Sequence, residues 1–328
     1  MKKRLQTLLL AGLLLLSGCA QTTDPAADGQ TPTEDVPQQE EAASPEAQTF
    51  TDDLGREVSL ETPKRVAAMI GSFADIWCIA GGKDTLIAAA HDSWTSFDLG
   101  LGDDVTDIGA VKDPSLETLL AAEPDLILAS CNTSANVEML ETIEQAGLRA
   151  AYFDVENFDD YLRMLEICTR LTGCPENYAA YGEAVKEQVD AAVARQDGSA
   201  PTVLYIRASG SSCKVKGSSG NVLGEMLSAL GCVNIADSDQ TLLENLSLEA
   251  IIADDPDYIF AVLQGVGKTA EEAQALLEET LLTNPAWEGL RAVQEGRFYT
   301  LDHALYNLKP NARWGEAYEA LADILYPQ

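Results

Sequence analysis

The chain has 328 residues, with 21 Lys and Arg against 53 Asp and Glu, a formal charge of −32. So acidic a balance excludes nucleic acid as a partner and excludes adhesion to anionic lipid through a basic surface, because both need clustered cations. With only two histidines, His91 and His303, a histidine-rich metal site is also excluded.

Lys2, Lys3 and Arg4 precede an apolar run at 8–16, too short to span a bilayer and shaped like an export signal. The run ends in Leu16-Ser17-Gly18-Cys19, which resembles the bacterial lipobox. That resemblance implies a signal peptide over 1–18, cleavage before Cys19 and lipid on its sulfur. Residues 19–49 then read as the lipidated cysteine and a disordered tether. Between 20 and 49 stand Pro25, Pro32, Pro37, Pro45 and seven acids, with no Lys or Arg. Such a segment buries too little apolar surface to offset its ordering entropy. Six further cysteines (Cys78, Cys131, Cys168, Cys174, Cys213 and Cys232) show no C-x-x-C spacing, and several sit in apolar runs. They are expected to be mostly unpaired, with Cys168 and Cys174 the one sequence-close pair.

Strand-like apolar runs follow at 65–70, 86–90, 126–129 and 150–153, then at 202–206, 258–263 and 297–301. Helical stretches separate many of them, which predicts α/β architecture with largely parallel sheets. The segment 115–129, SLETLLAAEPDLILA, aligns with 247–261, SLEAIIADDPDYIFA. Each reads as a serine-capped helix with Glu in its first turn, then Pro-Asp, then a buried strand. An offset of 132 residues is domain-sized, so two similar lobes are expected. Between them, Tyr161, Leu162, Leu165, Cys168 and Leu171 recur at helical spacing until Gly173. Pro175 opens a second helix, expected to run to Arg195 and to join the lobes as a stiff strut.

Ligands in open α/β sheets sit beyond the carboxyl ends of strands. Those ends supply the candidates Ser72, Phe73, His91, Trp94, Asn132, Arg207, Gln264 and His303. Two windows lack any acid: one, between Ile206 and Gly224, holds Arg207, Lys214 and Lys216, and the other, between Asp302 and Glu316, holds His303, Lys309 and Arg313. In so acidic a chain they read as an anion-binding wall, with Tyr306 among the aromatic residues near it. His91 and His303 are further candidates to coordinate a metal centre directly through an imidazole. Enzyme motifs are lacking. Gly265-Val266-Gly267-Lys268-Thr269 ends like a phosphate loop, but Val262 stands where that motif needs its first glycine. There is no G-x-S-x-G and no H-E-x-x-H.

Taken in order, the Cys19 lipobox, the opening strand in Pro63-Lys64-Arg65-Val66-Ala67-Ala68-Met69-Ile70, both SLE…PD–strand units, the connecting helix and Asn284-Pro285-Ala286-Trp287 resemble one family. It is the substrate-binding lipoproteins of ABC importers for ferric siderophores, haem and cobalamin. The resemblance spans roughly residues 50–328. It implies an α/β, class III architecture: two lobes with central, mostly parallel sheets joined by a single long helix. The expected boundaries are 50–157 for the N-terminal lobe, 158–196 for the connecting helices and 197–328 for the C-terminal lobe. It further implies a monomer on the extracytoplasmic face that catalyses nothing, needs no cofactor to fold and passes its cargo to a permease and its ATPase. Glu117 and Glu249 match the glutamates that dock on the permease. Two other readings are an anchored sensor module and an exported hydrolase. Zinc and manganese receptors share the architecture but use several histidines, which this chain lacks.

Overall fold

The computed structural model describes residues 47–327 except Asn245, so Cys19, the signal segment and most of the tether lie outside the described residues. Two separate five-stranded sheets form, beside two small two-stranded ones, among the described residues. In the N-terminal sheet, five parallel strands lie in the order Thr106–Asp107, Leu86–Ala89, Val66–Ala68, Leu126–Ser130 and Ala150–Phe153. In the C-terminal sheet the order is Ser212–Lys216, Thr202–Ser209, Tyr258–Leu263 and Phe298–Leu301, with Val233–Asn234 beside the second of these. Only the hairpin strand Ser212–Lys216 runs antiparallel in that sheet. Strands covered on both faces must be apolar throughout, and all five residues of Leu126–Ser130 are buried.

The repeated segment occupies the same place in each lobe. Ser115 and Ser247 cap their helices by accepting the N–H of Thr118 and Ala250. Glu123 and Asp255, at equivalent positions before the proline, both turn the chain through positive φ, at 48° and 40°. The aspartate after the proline then anchors the first strand of its own five-stranded sheet. Asp125 accepts the N–H of Lys64 and Arg65, and Asp257 accepts the N–H of Thr202 at 2.8 Å. The repeat therefore encodes a helix, a tight turn and the alignment of two neighbouring strands.

Helix Phe158–Thr172 begins with a capping box between Asn157 and Asp160 and stops at Gly173, whose φ is 73°. Pro175 starts the next helix, which runs over 175–193 and so extends about 28 Å. It is not uniform: residues Ala179–Glu183 form a π turn. Such a turn loosens the carbonyl ladder, and the Tyr161 hydroxyl donates to Tyr181 O at 3.0 Å. Gly182 lets the helix Phe158–Thr172 approach, since a Cβ there would lie 3.4 Å from Leu162 Cδ2. The C-terminal helix Trp314–Leu325 packs along Ala184–Val193. Trp314 meets Phe158 with ring centroids 6.0 Å apart. One apolar core consequently runs from the N-terminal sheet through the connecting helices to Tyr205, Leu223 and Leu321. The six cysteines within the described residues are free thiols. Cys168 is fully buried, and burial pushes its pKa upward.

A second link joins the lobes near the cleft. Asn311, buried and at φ 51°, donates from Nδ2 to Ser72 O at 2.9 Å and to Asp75 Oδ2 at 2.7 Å. Burial pushes the Asp75 carboxyl up, against the pull of that donor.

Candidate functional site

The carboxyl ends of the two sheets face one hollow of about 170 Å³. Asn132, Val155 and Glu156 line it from the N-terminal lobe. Tyr205, Arg207 and Asn221 line it from the C-terminal sheet and the helix that follows, and Tyr306 and Lys309 from the segment after the last strand. Larger hollows of about 360 and 570 Å³ adjoin Arg149. They lie at the amino ends of the N-terminal strands, the wrong end for a ligand in an α/β sheet.

The C-terminal wall owes its charge to strand alternation. Leu204, Ile206 and Ala208 point into one core, so Tyr205 and Arg207 point the other way. The hairpin register sets Lys214 opposite Arg207 and Lys216 opposite Tyr205. Directly opposed residues share a face, with Cβ atoms roughly 5 Å apart. Burial pushes the Lys216 pKa down, and the charges of Arg207 and Lys214 push it further. Among the described residues, no carboxylate lies within 4.0 Å of Arg207, Lys214, Lys216 or Lys309. Lys309 is half-buried, with Nζ 6.0 Å from the Phe73 ring centroid, and burial pushes its pKa down despite Glu156 and Asp154 nearby.

The N-terminal wall is acidic. Asn132 Nδ2 donates to both Asp154 Oδ1, at 2.5 Å, and Glu156 Oε1, at 2.8 Å. The backbone beneath is pinned: Asp154 N–H donates to Asp53 Oδ2 at 2.6 Å, and Glu156 N–H donates to Asp160 Oδ2 at 3.1 Å. Arg163 pairs with Asp53 at 2.9 Å. Burial pushes the Glu156 carboxyl up, and the neighbouring Asp154 adds to the shift.

The fold places the sequence candidates unevenly. Asn132, Arg207 and Tyr306 line the hollow, with Lys214 and Lys216 on the same hairpin face as Arg207. The basic residues of the first window are in strands, not in the loop expected after a strand. Gln264 acts one step back, donating to Asn307 Oδ1 at 3.2 Å. Ser72 and Phe73 belong to the buried helix Gly71–Trp77, so Phe73 supports Lys309 rather than offering a free ring. Trp94 is half-buried against the core. His91 is exposed and paired through Nδ1 with Asp107 at 2.7 Å. Burial pushes the pKa of His303 down, and it does not line the hollow. Arg313 departs from the expected wall. Glu316, the acid that closes its window, lies one helical turn away and takes the guanidinium through two bonds of 2.7 Å. Asn221 and Asn311 carried no sequence signal beyond the tendency of asparagine to cap helices and enter positive φ. Glu156 had the same strand-end signal as Asn132.

The sequence pattern of periplasmic binding proteins matches residues 38–305. The chain belongs to the periplasmic binding protein family. This family member is a binding protein, not an enzyme. It is 26% identical over 306 residues to the Fe(3+)-citrate-binding protein YfmC of Bacillus subtilis (strain 168), covering 91% of this chain and 88% of that one. Its fold matches the periplasmic heme-binding protein RhuT from Roseiflexus sp. RS-1, with a TM-score of 0.65 and 21% identity over 80% of this chain and 98% of that chain. It also matches the vitamin B12 binding protein BtuF of Vibrio cholerae, with a TM-score of 0.64 and 21% identity over 80% and 97% of the respective chains. At these identities the two solved structures establish the fold of this binding protein.

Proposed function

We propose that this protein is the lipid-anchored receptor of an ABC importer, taking up an anionic iron complex of the ferric hydroxycarboxylate class. One observation carries the reading: Arg207, Lys214 and Lys216 share a hairpin face beside the interlobe hollow, without acid partners among the described residues, in a chain of charge −32. Unpaired cations in so acidic a protein favour an anion, and guanidinium pairs carboxylates bidentately. The likeness to an Fe(3+)-citrate-binding protein supports the same class. The hollow, about 170 Å³, is smaller than the roughly 300–1,000 Å³ of drug-sized pockets. A compact chelate therefore enters with less lobe opening than a tetrapyrrole requires. Lipid on Cys19 would hold the receptor at the membrane, and Glu117 and Glu249, both exposed on capped helices, would meet the permease.

Titration of the protein with ferric citrate, followed by tryptophan fluorescence, tests this. Saturable binding is expected, and Arg207→Ala should weaken it by roughly 10- to 100-fold, as loss of a charge-assisted hydrogen bond does. An unchanged affinity in Arg207→Ala removes the anion-wall reading.

A further inference from the structure

The hollow is lined by Glu156 on one side and Arg207 on the other, with Asp154 beside Glu156 on the same Asn132 amide and Lys214 and Lys216 beside Arg207 on the same hairpin face. Among the described residues, Asp154 and Glu156 have no cation within 4.0 Å, as Arg207, Lys214 and Lys216 have no acid. Both acids take a hydrogen from the single Asn132 amide, so two like charges are held together on a backbone fixed by Asp53 and Asp160. Their remaining carboxylate oxygens accept nothing from the protein among the described residues. Lys309 lines the same hollow and its charge acts on both acids, but one ammonium, which also sits against the Phe73 ring, leaves at least one of the two carboxylates without a cation of its own.

On the proposed function above, which this inference presupposes, the geometry points to an amphoteric cargo. Its anionic groups meet Arg207, Lys214 and Lys216, and an ammonium or other N–H and O–H donors on its opposite side meet Asp154 and Glu156. The two walls then share the recognition. The C-terminal wall attracts the chelate, and the N-terminal wall repels any chelate that is anionic all round, which makes Asp154 and Glu156 specificity-determining. Because Asn132 already holds both carboxylates, donors arriving there bind without first ordering them.

A matched pair of probes reads this directly. One is the ferric complex of citric acid mono-(2-aminoethyl)amide, and the other is the same complex with its terminal nitrogen acetylated. Both are titrated into the full-length protein in detergent micelles beside ferric citrate. The wild type should bind the ammonium-bearing chelate about tenfold tighter than the acetylated one. Asp154→Asn with Glu156→Gln should abolish that preference and bind ferric citrate several-fold tighter, since the repulsion has gone. Glu156→Gln alone, which keeps an acceptor for Asn132, should halve the preference or better if the double variant does not fold. Equal affinities for the two probes in the wild type, or a preference that survives in the variants, overturns the assignment. If ferric citrate still binds and Arg207→Ala still weakens it, the anion-wall function stands without the amphoteric cargo. If no chelate binds, both readings fall.

Discussion

Leu126–Ser130 and Tyr258–Leu263 are the same device used twice. Each follows a serine-capped helix, a left-handed acidic residue and a Pro-Asp turn, and each pairs with the first strand of its five-stranded sheet. Yet the chain leaving the N-terminal sheet builds a wall of Asp154 and Glu156, whereas the C-terminal sheet adds a hairpin carrying Arg207, Lys214 and Lys216. The difference teaches that the repeat fixes the scaffold and the outward-facing glutamates, while residues outside the repeat set the polarity of the cleft. Scaffold symmetry and site asymmetry thus vary independently.

The sharpest test of the symmetric half is Glu117→Ala combined with Glu249→Ala. Uptake of iron by cells should fall to background, while the ferric citrate dissociation constant stays within about twofold. Loss of affinity in the double variant would place these glutamates in the cleft and end the separation of docking from binding.

The seam between the lobes comes next. Asn311→Ala removes the donor to Ser72 O and Asp75 and puts a side chain without that donor at φ 51°. Stranding a buried carboxyl costs about 1–3 kcal/mol, read as a lower urea midpoint. Asn311→Gly loses the same hydrogen bonds but suits the left-handed backbone, so it should fall about 1 kcal/mol less far. Equal midpoints for wild type and both variants would show that the lobes are held by the apolar core alone.

The smallest effect belongs to Arg313, which separates charges of the C-terminal lobe that face the cleft from those that do not. Its hydrogen bonds hold the Glu316 carboxyl below the ordinary carboxylate range. A lowered folded value means the pair stabilises the protein above the unfolded carboxyl pKa, and that contribution is lost as pH falls through the folded value. Both side chains are more than half exposed, so Arg313→Ala should cost less than about 1 kcal/mol at pH 7. The loss should shrink towards zero at acid pH, with ferric citrate binding unaltered. A tenfold loss of binding would return Arg313 to the anion wall.

Much of this architecture was legible because local rules agree with global ones. Strand runs between 65 and 301, the Gly173 stop, the Pro175 start and both serine caps follow from short-range chemistry. The strut at 175–193 was legible in extent to within two residues, but its π turn was not, because Gly182 and Tyr181 acquire their role only when Tyr161 packs across them. Site residues were harder. Arg207, Lys214 and Lys216 stood out as an acid-free window, yet Arg313 stood out in the same way. The two cases differ in that Glu316 closes one window at helical spacing, a neighbour that a linear scan places just outside.

By itself the sequence determined two α/β lobes, a helical connection between them and an acid-free window holding Arg207, Lys214 and Lys216 in the second lobe, since composition, period and caps act within a few residues of one another. The tertiary structure alone decided that Asn132 gathers Asp154 and Glu156, that Asn311 crosses to Asp75, and that Glu156 confronts Arg207 across a hollow. These pairings span 22 to 236 positions along the chain. Contacts so distant in sequence leave no local pattern, because they exist only once strands far apart in the chain pair in one sheet or the two lobes pack together.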